Sequence, residues 1–126
     1  MTSRRQLGDF GERVAAHRLE SMGMRILDRN VRVGRIEIDL IATDGDDFVF
    51  VEVRTRRAKV DMAAESLDPA KLRRMWHAAL GYCEARAIPL ERARIDVVAI
   101  DLDHGGHERR IEHYRGIEIP ESFDDG

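Results

Sequence analysis

The chain contains one cysteine, Cys83, so neither an intrachain disulfide nor a cysteine-rich zinc cluster can form. A lone thiol suits a reducing compartment. Aromatic residues make up only 6% of the chain, which leaves a mostly aliphatic core. No run of 18 apolar residues is present to cross a bilayer as a helix. The stretch from Met1 to Gln6 has no apolar segment behind it of the kind a secretory leader carries. The expected location is the cytoplasm, with no membrane partner. Serine is scarce, and no Gly-x-Ser-x-Gly elbow occurs. Gly8 and Gly11 frame a helix start rather than a phosphate loop behind a strand, so no small-molecule cofactor is expected. The five histidines lack HExxH spacing, and His104 and His107 read as exposed loop residues. Carboxylates and basic side chains remain for chemistry.

Those groups concentrate in one place. Ile36 to Thr43 and Phe48 to Arg54 are two β-branched, apolar runs joined by Asp44-Gly45-Asp46-Asp47, the pattern of a β-hairpin. With those four residues as the loop, Thr43 faces Phe48, Ile41 faces Phe50, Asp39 faces Glu52 and Glu37 faces Arg54. Ile36, Ile38, Leu40, Ala42, Val49, Val51 and Val53 then form one wholly apolar face. Glu37, Asp39, Glu52 and Arg54 share the other. Directly opposed side chains lie about 5 Å apart. Two carboxylates so placed repel by about 3 kcal/mol at an effective dielectric near 20. A cation between them, or a shared proton, relieves this, and a hard divalent metal is the natural cation for oxygen donors. The plainer alternative is an exposed strand face whose charges are solvated, with Arg54 neutralising Glu37.

A chain of 126 residues is one domain with a real core. We read residues 1–120 as that domain and 121–126 as an acidic, frayed tail. The formal net charge of −3 hides an uneven distribution. Arg54, Arg56, Arg57, Lys59, Lys71, Arg73 and Arg74 make the middle basic, while the stretch after Asp101 is acidic. Leu7 to Gly23 has helical periodicity, with Glu12 at the edge of its apolar arc. Arg25 to Val33 reads as a strand and Gly34-Arg35 as a turn. Asp68-Pro69 signals a helix start. Leu72, Met75, Trp76, Ala79, Leu80, Cys83 and Ala87 follow at helical spacing, so Trp76 and Cys83 are expected in the core. Pro89 stops this helix. Ile95 to Ile100 reads as a buried strand and Arg110 to Ile119 as a last alternating one. The order is α-β-β-β-α-β-β.

Asp39 followed by Glu52-Val53-Arg54 resembles the Asp…Glu-x-Lys signature of the restriction-endonuclease-like, PD-(D/E)XK superfamily. More narrowly, six segments resemble the largely uncharacterised YraN family, which is predicted to be related to archaeal Holliday-junction resolvases. They are Gly8-x-x-Gly11-Glu12, Arg29-Asn30-x-Arg32, Glu37 to Ile41, Val49 to Arg56, Lys71-x-x-Arg74 and Asp96-Val97-Val98. The resemblance spans about residues 7–102. It implies an α/β fold with an αβββαβ core, a mixed central sheet flanked by helices. It also implies a Mg²⁺- or Mn²⁺-dependent nuclease acting on DNA, branched forms included, as a homodimer. Asp39, Glu52 and Glu12 would be metal ligands or neighbours of the metal. Asp39, Glu52, Arg54 and Glu37 would form the catalytic set. Arg54, Arg56, Arg57, Lys71 and Arg74 would contact nucleic acid. Two departures stand out: Ile36 replaces a usual glycine, and Arg54 replaces the superfamily's lysine. A guanidinium cannot act as a general base, but it can clamp a phosphate. The rival reading is a binding module that keeps the fold without turnover, for which the net charge and Arg54 both speak.

Overall fold

Two glycines with positive φ, Gly34 at 63° and Gly45 at 63°, close the two hairpins that start the sheet. They join β1 (Arg25–Val33), β2 (Ile36–Asp44) and β3 (Asp47–Arg57) into an antiparallel unit. The structure is a computed structural model that describes residues 4–57, 68–103, 105 and 107–119. Segment 58–67 (which holds Lys59), His104 and the tail 121–126 lie outside the described residues, as does the side chain of Arg57. A helix α1 (Arg4–Ser21) precedes the sheet. Helix α2 (Pro69–Arg86) follows β3 and leads through a 3-10 turn, Leu90–Arg92, to β4 (Ala93–Leu102) and β5 (Glu108–Tyr114). The spatial order is β1-β2-β3-β4-β5. Only β3 and β4 run parallel. A parallel pair needs a crossover, and α2 is that crossover. Among the described residues no helix is long and apolar enough to cross a membrane.

The expected helix start is found. The Asp68 carboxylate accepts from Ala70 N–H at 3.0 Å, and Pro69 opens the helix. Its other end closes on Ala87 at φ 56°, with Ile88 N–H donating to the Cys83 carbonyl at 2.9 Å. Each helix covers one face of the sheet. Ala15, Ala16 and Leu19 of α1 pack on Leu40, Ala42, Val49, Val51, Val98, Ile100 and Leu102. Leu72, Met75, Ala78, Ala79, Tyr82 and Cys83 of α2 pack on Ile38, Ile41, Phe50 and Ile95. Trp76 is partly buried against this second cluster. Burial on both faces explains why β4 reads as a nearly continuous apolar run from Ile95 to Leu102.

The hairpin register is the expected one, with Ile41↔Phe50 and Thr43↔Phe48. Asp44↔Asp47 extends it, so the loop narrows to Gly45-Asp46. The expected single apolar face is corrected. Ile36 and Ile38 pack with Ile41 against the α2 cluster, while Leu40 and Ala42 face α1. The alternation breaks at Asp39. Val31↔Ile38 and Arg29↔Leu40 pair on either side, but Asn30 between them is left-handed, with φ 52°. The β2–β3 ladder also ends at Leu40↔Val51, so the expected Asp39–Glu52 and Glu37–Arg54 oppositions fall beyond the last paired residues.

The last strand is also shorter than its pattern suggests. It ends at Tyr114, and Gly116 takes φ 61°. Ile117 N–H then donates to the Ile95 carbonyl at 2.7 Å, and Ile117 and Ile119 pack against the α2 cluster rather than beside Ile111 on the α1 side. An ionic network fixes this crossing. The fully buried Asp96 accepts from Arg94 Nε at 3.1 Å and from Gly116 N–H at 2.9 Å, and its other oxygen lies 2.7 Å from His113 Nε2. Arg94 and Arg115 also reach Asp44, at 2.9 and 2.7 Å.

Candidate active site

Where β2 and β3 part, a groove of about 790 Å³ opens. Glu12 enters it from α1, Glu37 and Asp39 from β2, Glu52, Val53, Arg54 and Thr55 from β3, and Asp68 and Lys71 from the start of α2. The break in the ladder frees a backbone donor, which Asp39 takes over: its Oδ2 accepts from Val53 N–H at 2.8 Å. Glu52 follows Phe50 on the face toward α2, where Lys71 Nζ sits 2.6 Å from its Oε2. Burial, reinforced by the charges of Glu52 and Glu12, pushes the Asp39 carboxyl up to about 7. Burial also raises Glu12. A hydrogen bond from Asn30 opposes that rise, and the neighbouring Asp9 and Glu37 charges add to it.

Gly11 allows Glu12 to reach this place. A methyl group at Gly11 would overlap Thr55 Oγ1 and lie 3.1 Å from Thr55 Cβ, so only a glycine lets α1 lie this close to β3. Gly8, one turn earlier, has nothing within 4 Å of an added Cβ. Gly11→Ala is therefore expected to cost about 1–2 kcal/mol net, overpacking outweighing helix propensity. Gly8→Ala is expected to stabilise by about 0.5–1 kcal/mol. Urea unfolding of the two variants checks the pair; equal shifts would mean that α1 does not sit this close to β3.

The donor chemistry suits a hard divalent cation. Asp39 and Glu52 supply carboxylate oxygens, and a cation between them would relieve the repulsion from Glu52 that adds to burial in raising the Asp39 carboxyl. Among the described residues no three carboxylate, histidine or cysteine side chains converge as a ready-made cage. Mg²⁺ does not require one, since it keeps several waters and is held by one or two carboxylates together with substrate phosphate. Asp39 and Glu52 would hold such an ion, with Glu12 at its margin.

The groove thus gathers Glu12, Glu37, Asp39, Glu52, Arg54 and Lys71 from the residues expected at a site. Arg56 lies beyond the groove, two residues after Arg54 along β3. Arg74 is exposed on α2, one turn after Lys71. Two contributions escaped sequence reasoning. Asn30 takes a strained conformation next to Asp39 and bonds Glu12; an asparagine inside a strand is the available signal, since it is depleted there and tolerates left-handed backbone. Lys71 was expected to touch nucleic acid, and its ion pair with Glu52 across two elements left no local trace in the sequence.

Fold and groove together define a class, an α/β domain with a mixed five-stranded sheet and an acidic cleft at the splayed end of its hairpin. Residues 11–100 match the model described as "Uncharacterised protein family UPF0102". The chain belongs to that family, the YraN family its motifs resemble. The UPF0102 protein of Arthrobacter sp. (strain FB24) is 42% identical over 118 residues, covering 93% of this chain and 99% of the relative. That of Roseiflexus castenholzii is 45% identical over 116 residues, covering 90% and 94%. Among solved structures, SfsA of Pyrococcus furiosus in complex with Ca²⁺ is similar at a TM-score of 0.41 and 17% identity. That likeness covers 91% of this chain and 65% of SfsA.

Proposed function

We propose that this protein is a metal-dependent nuclease that hydrolyses phosphodiester bonds in DNA, with branched DNA the first substrate class to test. The observation that carries this reading is the carboxylate pair of half-buried Asp39 and buried Glu52, set in one groove with a guanidinium and an ammonium. Mg²⁺ or Mn²⁺, when bound, would supply charge neutralisation at the phosphate and a water of lowered pKa. Asp39 and Glu52 would hold that ion, and Val53 N–H fixes the Asp39 carboxylate. The Arg54 guanidinium holds a phosphate oxygen. Arg56 and Arg74 extend the cationic path away from the groove. Homodimer formation, which the resemblance implies, belongs to this reading and is checked by sedimentation.

The second reading, a binding module without turnover, draws support from the Lys71–Glu52 pair, because an ammonium already neutralises one of the two donors. One experiment separates the two. Linear, flapped and four-way DNA are incubated with the protein and Mg²⁺ or Mn²⁺. Cleavage is expected in the wild type and should fall at least about 10²–10³-fold in Asp39→Ala, while binding is kept. Arg56→Ala should lower the slope of log affinity against log salt by about one. Binding without any cutting selects the second reading. No binding even at low salt removes both.

A further inference from the structure

Lys71 stands in the first turn of α2, where the helix dipole disfavours a cation. It is held there by Glu52, whose side chain is 6% exposed against 45% for that of Lys71. A buried carboxylate needs a counter-charge. Lysine provides one as a compact ammonium on a flexible stem. The same Glu52 oxygens are the ones a divalent ion would take beside Asp39. An ammonium 2.6 Å from Oε2 and a divalent ion on the same carboxylate repel each other, so each weakens the other's hold on Glu52. Lys71 lines the same groove as Arg54 and keeps nearly half of its side chain exposed there.

Building on the nuclease reading, we propose that Lys71 is the groove's exchangeable cation. It neutralises Glu52 in the empty site, gives way when a divalent ion binds, and then engages a phosphate oxygen of the DNA. In that position the ammonium comes from α2, while β3 carries a guanidinium. Lys71 thereby ties metal binding to substrate binding: the ion releases it, and the phosphate keeps it from returning.

The test uses the full chain and begins without DNA. Mn²⁺ is titrated calorimetrically into wild type, Lys71→Met and Lys71→Arg at pH 8. Lys71→Met, freed of its internal competitor, should bind Mn²⁺ about fivefold more tightly or better. Lys71→Arg, which keeps a cation, should stay near wild type. With DNA and saturating Mn²⁺, Lys71→Met should lower the salt slope of binding by about one. Circular dichroism confirms that each variant is folded, and Lys71→Gln repeats the measurement if Lys71→Met is not. A wild type that binds Mn²⁺ with unchanged or weaker affinity in Lys71→Met overturns the assignment and leaves the nuclease reading intact. A wild type that takes up no Mn²⁺ overturns both.

Discussion

Replacing Asp96 with alanine should remove about 3–5 kcal/mol of stability, a large share of the 5–15 kcal/mol or so that holds an ordinary domain. The carboxylate has no exposure and four polar contacts from three partners: Arg94 through Nε and Nη2, His113 through Nε2, and the Gly116 N–H. Burial alone would raise its pKa, but the bonds from His113, Arg94 and Gly116 outweigh burial and hold it below the usual carboxylate range. Removing it leaves Arg94 with only Asp44 and Asp47, at the half-exposed hairpin end, and strands a buried imidazole. It also releases the Gly116 amide that turns the chain toward the α2 side. The urea midpoint of Asp96→Ala at pH 7 measures the loss; a shift within 1 kcal/mol or so of wild type would show that the network is dispensable.

Asp39→Asn should act in the opposite direction, and only above mild acidity. The Asp39 pKa rises from 3.8 to about 7 on folding, so the folded state binds this proton more tightly than the unfolded one. Stability then falls as pH rises between those two values, and the penalty is complete above about 7. Its ceiling is on the order of 4 kcal/mol. An asparagine can still accept from Val53 N–H through its amide oxygen but carries no charge, so this variant should match wild type near pH 4 and exceed it at pH 8. Mg²⁺ should recover much of the difference in wild type alone. Thermal melts across pH, with and without Mg²⁺, read this directly. A wild type whose stability rises from pH 5 to 8 in parallel with the variant would place Asp39 outside the proposed cation site.

Much of this architecture was legible because local signals and global fold agree. The Asp68-Pro69 cap, the helical spacing from Leu72 to Cys83 and the alternation on either side of Gly45 each depend on neighbours in sequence. The candidate site was legible for a related reason: acids inside β-branched strands are out of place unless something requires them. What escaped depends on contacts between distant residues. Asn30 breaks the ladder from the adjacent strand and moves Ile38 to the other face from Leu40, which alternation along β2 cannot foresee. The alternation from Arg110 to Ile119 continues past the true strand end because Gly116 and Asp96 turn the backbone while leaving the apolar residues in step. Lys71 lies 19 residues from Glu52, and only the crossover geometry brings them together.

The parting of β2 and β3 leaves one amide proton in an unusual position. Val53 N–H has lost a carbonyl partner to the gap and donates to a titrating side chain instead. In a nitrogen–proton correlation spectrum its resonance should follow the charge on Asp39, moving downfield as the carboxylate ionises. It should shift again when an ion takes the other oxygen. The molecule thus carries its own indicator at the cleft, readable without a substrate, a label or a second protein.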